Sequence, residues 1–189
     1  MSRVFFTADH HFGHANILRF CDRRFNDIDH HDRYLEECWN DTVRPEDIVY
    51  HVGDFAYRSD KDAARKRFNR LHGTKHLIVG NHDGPWVREM GWETVEKMAD
   101  ISVGGQRIIL CHYGLRVWNS MRHGALMLYG HSHSRLPGNS QSCDVGVDDW
   151  QFMPVDLPQI RARLATLPKL IVHDDTDESG LDESSGLKV

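Results

Sequence analysis

Short apolar runs alternate with polar stretches of helical pattern from the first residues of the chain. RVFFTAD (3–9) is aromatic and β-rich and predicts a strand. ANILRFC, just after it, reads as a short helix, and HHDRYLEECWNDTV (30–43) as a longer amphipathic one. DIVYHVGD (47–54) is a second apolar strand. DKDAARKRFNRL (60–71) predicts a helix with Asp60 as its N-cap and Gly73 just beyond its end. KHLIVGNHD (75–83) is a third strand. This order of strands and helices predicts right-handed crossovers and a mostly parallel sheet.

After a short helix near 85–90 the pattern changes. DISVGGQRIILCHY (100–113) reads as two strands around a Gly-Gly turn, a hairpin signal. ALMLYGHSH (125–133) and SCDVGVDDW (142–150) are further strands with only loops between them. Parallel units therefore come first and antiparallel ones later. Two sheets packed face to face, with helices outside, is the simplest arrangement. VDLPQIRARLATL (155–167) predicts a C-terminal helix with Pro158 in its first turns.

Composition changes this picture in three places. There are 14 histidines among 189 residues, spread along the chain with no run longer than two, so a purification tag is excluded and metal ligation becomes a candidate. The net charge of −5 resides in the tail: residues 173–189 hold six acids and one lysine, which leaves 22 acids and 22 bases in 1–172. The body is neutral and has no global basic field for long nucleic acid. The expected organisation is one folded domain over 1–172 and an acidic, disordered tail over 173–189. The four cysteines show no CxxC spacing, the opening MSRVFFTAD does not read as a signal-peptide leader, and no apolar stretch approaches the roughly 20 residues that span a bilayer. Reduced thiols and a cytoplasmic location are expected.

Five apolar strands end in polar residues of one kind. They read TADHH, VGD, VGNHD, LCHY and YGHSH. Any one could be a turn. Together they supply Asp, Asn and His at the carboxyl edge of an α/β sheet, where function is housed. In extended chain, residues two apart share a side, so Asp9 and His11 can reach one centre, as can His131 and His133. His10 and Ser132 point away, and His10 reads as a packing residue or a supporting histidine behind the ligands.

Asp-x-His, Gly-Asp, Gly-Asn-His-Asp, a lone His after a strand and Gly-His-x-His, in this order, resemble the signature of the calcineurin-like metallophosphoesterases. The resemblance spans about residues 3–155. HFGHANI (11–17), WNSMRHG (118–124) and DVGVDDW (144–150) are similar to stretches of its short bacterial and phage members. It implies an α/β fold, a four-layer α/β/β/α sandwich of two mixed sheets, with two metals at one edge. Carried over by motif, Asp9, His11 and His133 hold one metal, Asn81, His112 and His131 the other, and Asp54 bridges them. Such mixed donors suit Mn, Fe, Co, Ni or Zn, as divalent or trivalent ions, rather than Mg or Ca.

The resemblance also places His82 over the substrate as proton donor to the leaving oxygen, oriented by Asp83. It implies hydrolysis of phosphomonoesters or phosphodiesters by in-line attack of a metal-bound hydroxide. His14 and Asn16 could line the phosphate side, with a helix cap the equal alternative for Asn16. Arg122 and His123 could touch substrate. Trp118 reads equally as a lid or as local packing, and Cys111 as a residue that packs inward. Arg24 and Gly114 stand where similar short members carry Pro, which bears on loop shape and substrate preference. GDFAYRS and VGNHDGP lack the arginines of the protein-phosphatase branch, which disfavours that activity. The expected partner is a small phosphate ester, with no membrane. A nuclease or cyclic-nucleotide phosphodiesterase on the same core is the alternative, and a non-catalytic scaffold a weaker one, since His82 and every ligand are present.

Overall fold

Side chains alternate between two buried cores along each central strand. In the computed structural model, which describes residues 2–171, β1 (Val4–Thr7) sends Phe5 to one apolar cluster and Phe6 to another. β2 (Ile48–His51) and β3 (Thr74–Ile78) do the same with Val49 and Leu77 on one side and Tyr50 and Ile78 on the other. Burial on both faces is why these strands are continuous apolar runs. β1, β2 and β3 pair in parallel, and two further strands complete the sheet. β4 (Val95–Glu96) adds in parallel to β3, and β9 (Val155–Asp156) runs antiparallel to β1, giving the order β4-β3-β2-β1-β9.

The crossover helices lie on the outer face of this sheet. α1 (Ile17–Phe20) is a single turn, α2 is Ile28–Thr42 and α3 is Lys61–Arg70. Leu35 and Trp39 of α2 and Ala64 and Phe68 of α3 join Phe5, Val49 and Leu77 in the outer core. Asp60 caps α3 by accepting the Ala63 N–H at 2.8 Å, as the sequence predicts. α4 (Pro85–Arg88) fills the β3–β4 connection.

The second sheet has the order β5-β6-β7-β8. β5 (Met98–Val103) and β6 (Gln106–Cys111) form the expected hairpin about Gly104 and Gly105. β7 (Leu126–Tyr129) and β8 (Ser142–Asp144) then add in parallel. The antiparallel character expected for this half is therefore confined to one pair. Ile108, Leu110, Leu126 and Leu128 face the first sheet and close the central core with Phe6, Ala8 and Val52. α5 (Leu157–Leu164), held by a capping box between Asp156 and Gln159, inserts Ile160 and Leu164 into that core. On the far face, Trp118 and Ala125 of the β6–β7 connection cover Ile109, Met127 and Tyr129, with Met121 packed alongside. The architecture is an α/β fold of two mixed sheets, layered as the sequence suggested. The acidic tail lies outside the described residues. Among the described residues no helix is long and apolar enough to cross a membrane.

Candidate metal centre

Register brings the polar strand ends to one edge. Thr7, His51 and Leu77 stand level across β1, β2 and β3, so Asp9, Asp54 and Asn81 follow at the same end of the sheet. His112 follows β6 directly, and His131 and His133 follow β7. The two sheets meet here: Ala8 bridges to Gly146, and the Val147 N–H donates to the Ala8 carbonyl at 3.1 Å.

The backbone route to this edge differs from simple extension. Asp9, His11, Asp54, His131 and His133 all have left-handed φ, at 59°, 53°, 59°, 66° and 46°. Asp9 and His11, like His131 and His133, therefore converge through tight left-handed turns and not by strand alternation. Asp and His tolerate this region better than most residues, at a local cost of order 1–3 kcal/mol each. Glycines make room beside them. Gly53 combines φ of 95° with a space in which an added Cβ would lie 2.3 Å from His112 Nδ1.

Two groups of donor atoms result. Those of Asp9, His11 and His133 lie within 4.8 Å of one another, as do those of Asp54, His112 and His131. Asp54 Oδ2 stands between the groups, 3.6 Å from His11 Nε2 and 3.4 Å from His112 Nε2. Asn81 Oδ1 is 3.1 Å from His112 Nε2. The unpaired valences test whether cations fit. Asp9 Oδ1 and His11 Nε2 are buried without a hydrogen-bond partner, a costly state in a folded protein. His112 Nδ1 donates to the Val52 carbonyl at 2.8 Å, which aims its Nε2 at Asn81 Oδ1 and Asp54 Oδ2. A cation among these atoms would satisfy Asp9 Oδ1 and His11 Nε2, and imidazole with carboxylate and amide oxygens is a donor combination that transition metals take.

Protons show the same imbalance of charge. Burial pushes the Asp9 carboxyl up to about 8, against the opposing pull of His133 and His112. Burial also holds His11 well below its ordinary value. For His112 burial is outweighed by the hydrogen bond and charge of Asp54, which raise it to about 9, while His112 in turn brings Asp54 down to about 2 against its burial.

The supporting residues were only partly legible. His133 Nδ1 donates to Asp148 Oδ2 at 2.7 Å, which leaves Nε2 free to face a cation. Asp148 is gripped in turn by the buried guanidinium of Arg23. Asp144 accepts from Ser132 Oγ at 2.5 Å and from the Gly146 N–H, shaping the 130–134 turn. The DVGVDDW stretch marked both aspartates, but nothing in CDRRF singled out Arg23. Arg24, the residue noted there, has an 88% exposed side chain.

The residues expected around substrate divide. His82 is half-buried at the rim, with Nε2 4.0 Å from Asp54 Oδ2 and its ring against His11 and Tyr57. Asp83 does not orient that ring. Its buried carboxylate accepts the N–H groups of Asp54, Phe55 and Gly80 and so ties the ends of β2 and β3 together. His14 and Asn16 line a cavity of about 550 Å³ over the donor groups, and Asn16 makes no side-chain cap. Ile17, Phe20, Cys21, Tyr57, Arg58 and Arg135 also line it, and none of these was foreseen. Arg122 and His123 stand instead on a 3-10 turn that lines a separate depression, because the β6–β7 connection folds back over the outer face. Trp118 is local packing, buried with its Nε1 donating to the Ala125 carbonyl. Cys111 is buried beside it. His10 is fully buried, its Nδ1 2.9 Å from His51 Nε2.

Comparison with known proteins bears on the family and the fold. The family model described as calcineurin-like phosphoesterase matches residues 2–157. The gene 66 protein of Mycobacterium phage D29 is 31% identical over 190 residues, covering 82% of this chain and 94% of that protein. An uncharacterized protein of Methanocaldococcus jannaschii is 29% identical over 168 residues, covering 85% and 90%. Among solved structures, a protein of unknown function from Aquifex aeolicus superposes with a TM-score of 0.69 at 21% identity, covering 86% of this chain and all of that one.

Proposed function

The chain belongs to the calcineurin-like phosphoesterase family, and from that premise we propose that it hydrolyses small phosphate esters at a dinuclear metal centre. The observation that carries the reading is the position of Asp54 Oδ2 between the two donor groups, 3.6 Å from His11 Nε2 and 3.4 Å from His112 Nε2. Asp9, His11 and His133 would hold one ion, Asn81, His112 and His131 the other, and Asp54 both. When bound, two such ions supply the Lewis-acid charge that in-line displacement at phosphorus requires.

The chain's own groups supply the rest. Arg58 and Arg135 line the cavity and can neutralise phosphate oxygens that project from the centre, and His14, which burial holds uncharged, can donate a hydrogen bond to them. His82 faces the same space and carries a proton on Nε2 to the departing oxygen. The Asp54 carboxylate fixes the His82 backbone, accepting its N–H on Oδ1 at 2.8 Å. Phe20, Ile17 and Tyr57 give the leaving group an apolar wall. A cavity of about 550 Å³ suits a small ester, and the neutral body gives no field for a long polyanion.

The test is a panel of phosphomonoesters, phosphodiesters and cyclic nucleotides, with Mn, Co, Ni and Zn supplied in turn and metal content measured alongside. Hydrolysis that follows metal content supports the reading and identifies the ester class. Two bound metals with no turnover of any ester would leave a scaffold as the better description.

A further inference from the structure

We propose that Arg23 is a positioning residue that sets the Asp9–His11–His133 group for its ion and leaves the other group unaffected. This rests on the dinuclear reading above. Arg23 is 4% exposed, and all five of its guanidinium N–H groups are matched. Nε and Nη2 donate to the two oxygens of Asp148 at 2.8 and 2.7 Å. Nη2 also donates to the Asp9 carbonyl at 2.7 Å. Nη1 donates to the His10 carbonyl at 3.1 Å and meets His31 Nε2 at 3.0 Å.

These contacts converge on one ligand group. The Asp9 and His10 carbonyls belong to the turn whose residues Asp9 and His11 are held at left-handed φ. Asp148 fixes the ring of His133 through Nδ1. One side chain therefore restrains all three ligands, two through the backbone and one through a carboxylate. A second tie continues the frame. His31 Nδ1 donates to Asp32 Oδ1, and Asp32 Oδ2 accepts the Gly13 N–H just beyond the same turn.

The other group is held differently. His112 Nδ1 rests on the neutral Val52 carbonyl, and Asn81 and His131 are exposed. Arg23 touches none of them. Lysine cannot replace the fork: its point charge could satisfy Asp148 or the carbonyls, but not both at these angles.

The experiment is calorimetric titration of the metal-free full chain with Zn, with elemental analysis after dialysis, for wild type, Arg23→Lys, Asp148→Asn and Arg23→Lys combined with His131→Ala. Wild type should take two ions. Arg23→Lys and Asp148→Asn should each weaken one of the two by about 10–100-fold, the usual effect of removing an outer-shell partner. The double variant should hold neither ion tightly, because its lesions fall on different groups. Equal weakening of both ions in Arg23→Lys, or wild-type affinity at both, overturns the proposal while leaving the dinuclear reading intact. A wild-type chain that binds no ion overturns the functional reading and this inference with it. If Arg23→Lys does not fold, Asp148→Asn keeps shape and volume and decides the same question.

Discussion

A histidine's role in this chain follows from what its second ring nitrogen meets. His112 and His133 each spend Nδ1 on an acceptor and present Nε2, while in the core His10 Nδ1 meets His51 Nε2 and their other nitrogens are without a hydrogen-bond partner. His82 differs, half-buried at the cavity rim against aromatic neighbours. If it delivers a proton, its value depends on how badly the leaving oxygen needs one. An aryl oxide leaves unaided, so His82→Ala should cost little with p-nitrophenyl phosphate. With an alkyl ester it should cost about 10²–10⁴-fold, at unchanged metal content. Equal losses on both substrates would mean that His82 binds phosphate charge instead. The proposed ligands were legible because Asp, Asn and His are expensive at the ends of apolar strands, and five such ends rarely coincide by chance. Arg23, Arg58 and Arg135 were not, because a loop arginine is usually solvated and only the fold reveals which one is enclosed.

Elements deliver these side chains, and their ends matter more than their interiors. The sequence indicated β1, β2, β3 and the β5–β6 hairpin through apolar runs, and α3 through Asp60 and Gly73. It did not show β4 or β9, two-residue strands too short to carry a period. Nor did it show that β7 and β8 add in parallel, since loop crossovers leave no helical signal. Gly80 shows how closely the ends are fitted. Its φ is not in the left-handed region, so the restriction is space alone: an added Cβ would lie 2.3 Å from Asp54 Oδ1 and 2.5 Å from Asp54 N. Gly80→Ala should displace the Asp54 carboxylate, lowering metal content and activity together while far-UV circular dichroism is preserved. Full metal content in that variant would show that the β2 end can shift without consequence.

The opposite ends of the same strands are tied by Asp47. Its carboxylate accepts the N–H groups of Arg3 and Arg44 at 2.8 and 2.9 Å, joining the start of β1 to the turn before β2. Burial raises its pKa, but those two bonds and the charges of Arg3 and Arg44 outweigh burial and hold it below its ordinary 3.8. The folded value is thus the lower one. Its stabilisation is complete above pH 3.8 and is lost as pH falls through the folded value. Asp47→Asn leaves one N–H without its acceptor and should cost about 1–3 kcal/mol at pH 7. In urea denaturation the gap from wild type should narrow below pH 3.8. A constant gap across that range would mean that the loss is steric and not ionic.

At the scale of the molecule the centre is a seam. Asp9, Asp54 and Asn81 come from the first sheet, and His112, His131 and His133 from the second. Between the sheets lies apolar packing from Phe6, Val52, Ile108 and Leu128 and their neighbours, with polar links at this edge from His112 Nδ1 to the Val52 carbonyl, from the His131 N–H to Asp9 Oδ2 and from Ala8 to Gly146. Ions held by both ligand sets would therefore join the two sheets, and their binding energy would oppose global unfolding instead of ordering one loop. An ion at 100 times its dissociation constant adds about 2.7 kcal/mol. For a chain of this size that corresponds to a rise of about 5–10 °C in Tm. Metal-loaded protein should melt that much higher than chelated protein, in one transition. Hydrogen exchange should slow in the strands of both sheets together. In Asp54→Asn, where the carboxylate proposed to join both ions is lost, most of the increment should vanish. A metal-dependent rise confined to exchange in the 130–134 turn, with Tm unchanged, would mean that the ions order a loop and the sheets hold together without them.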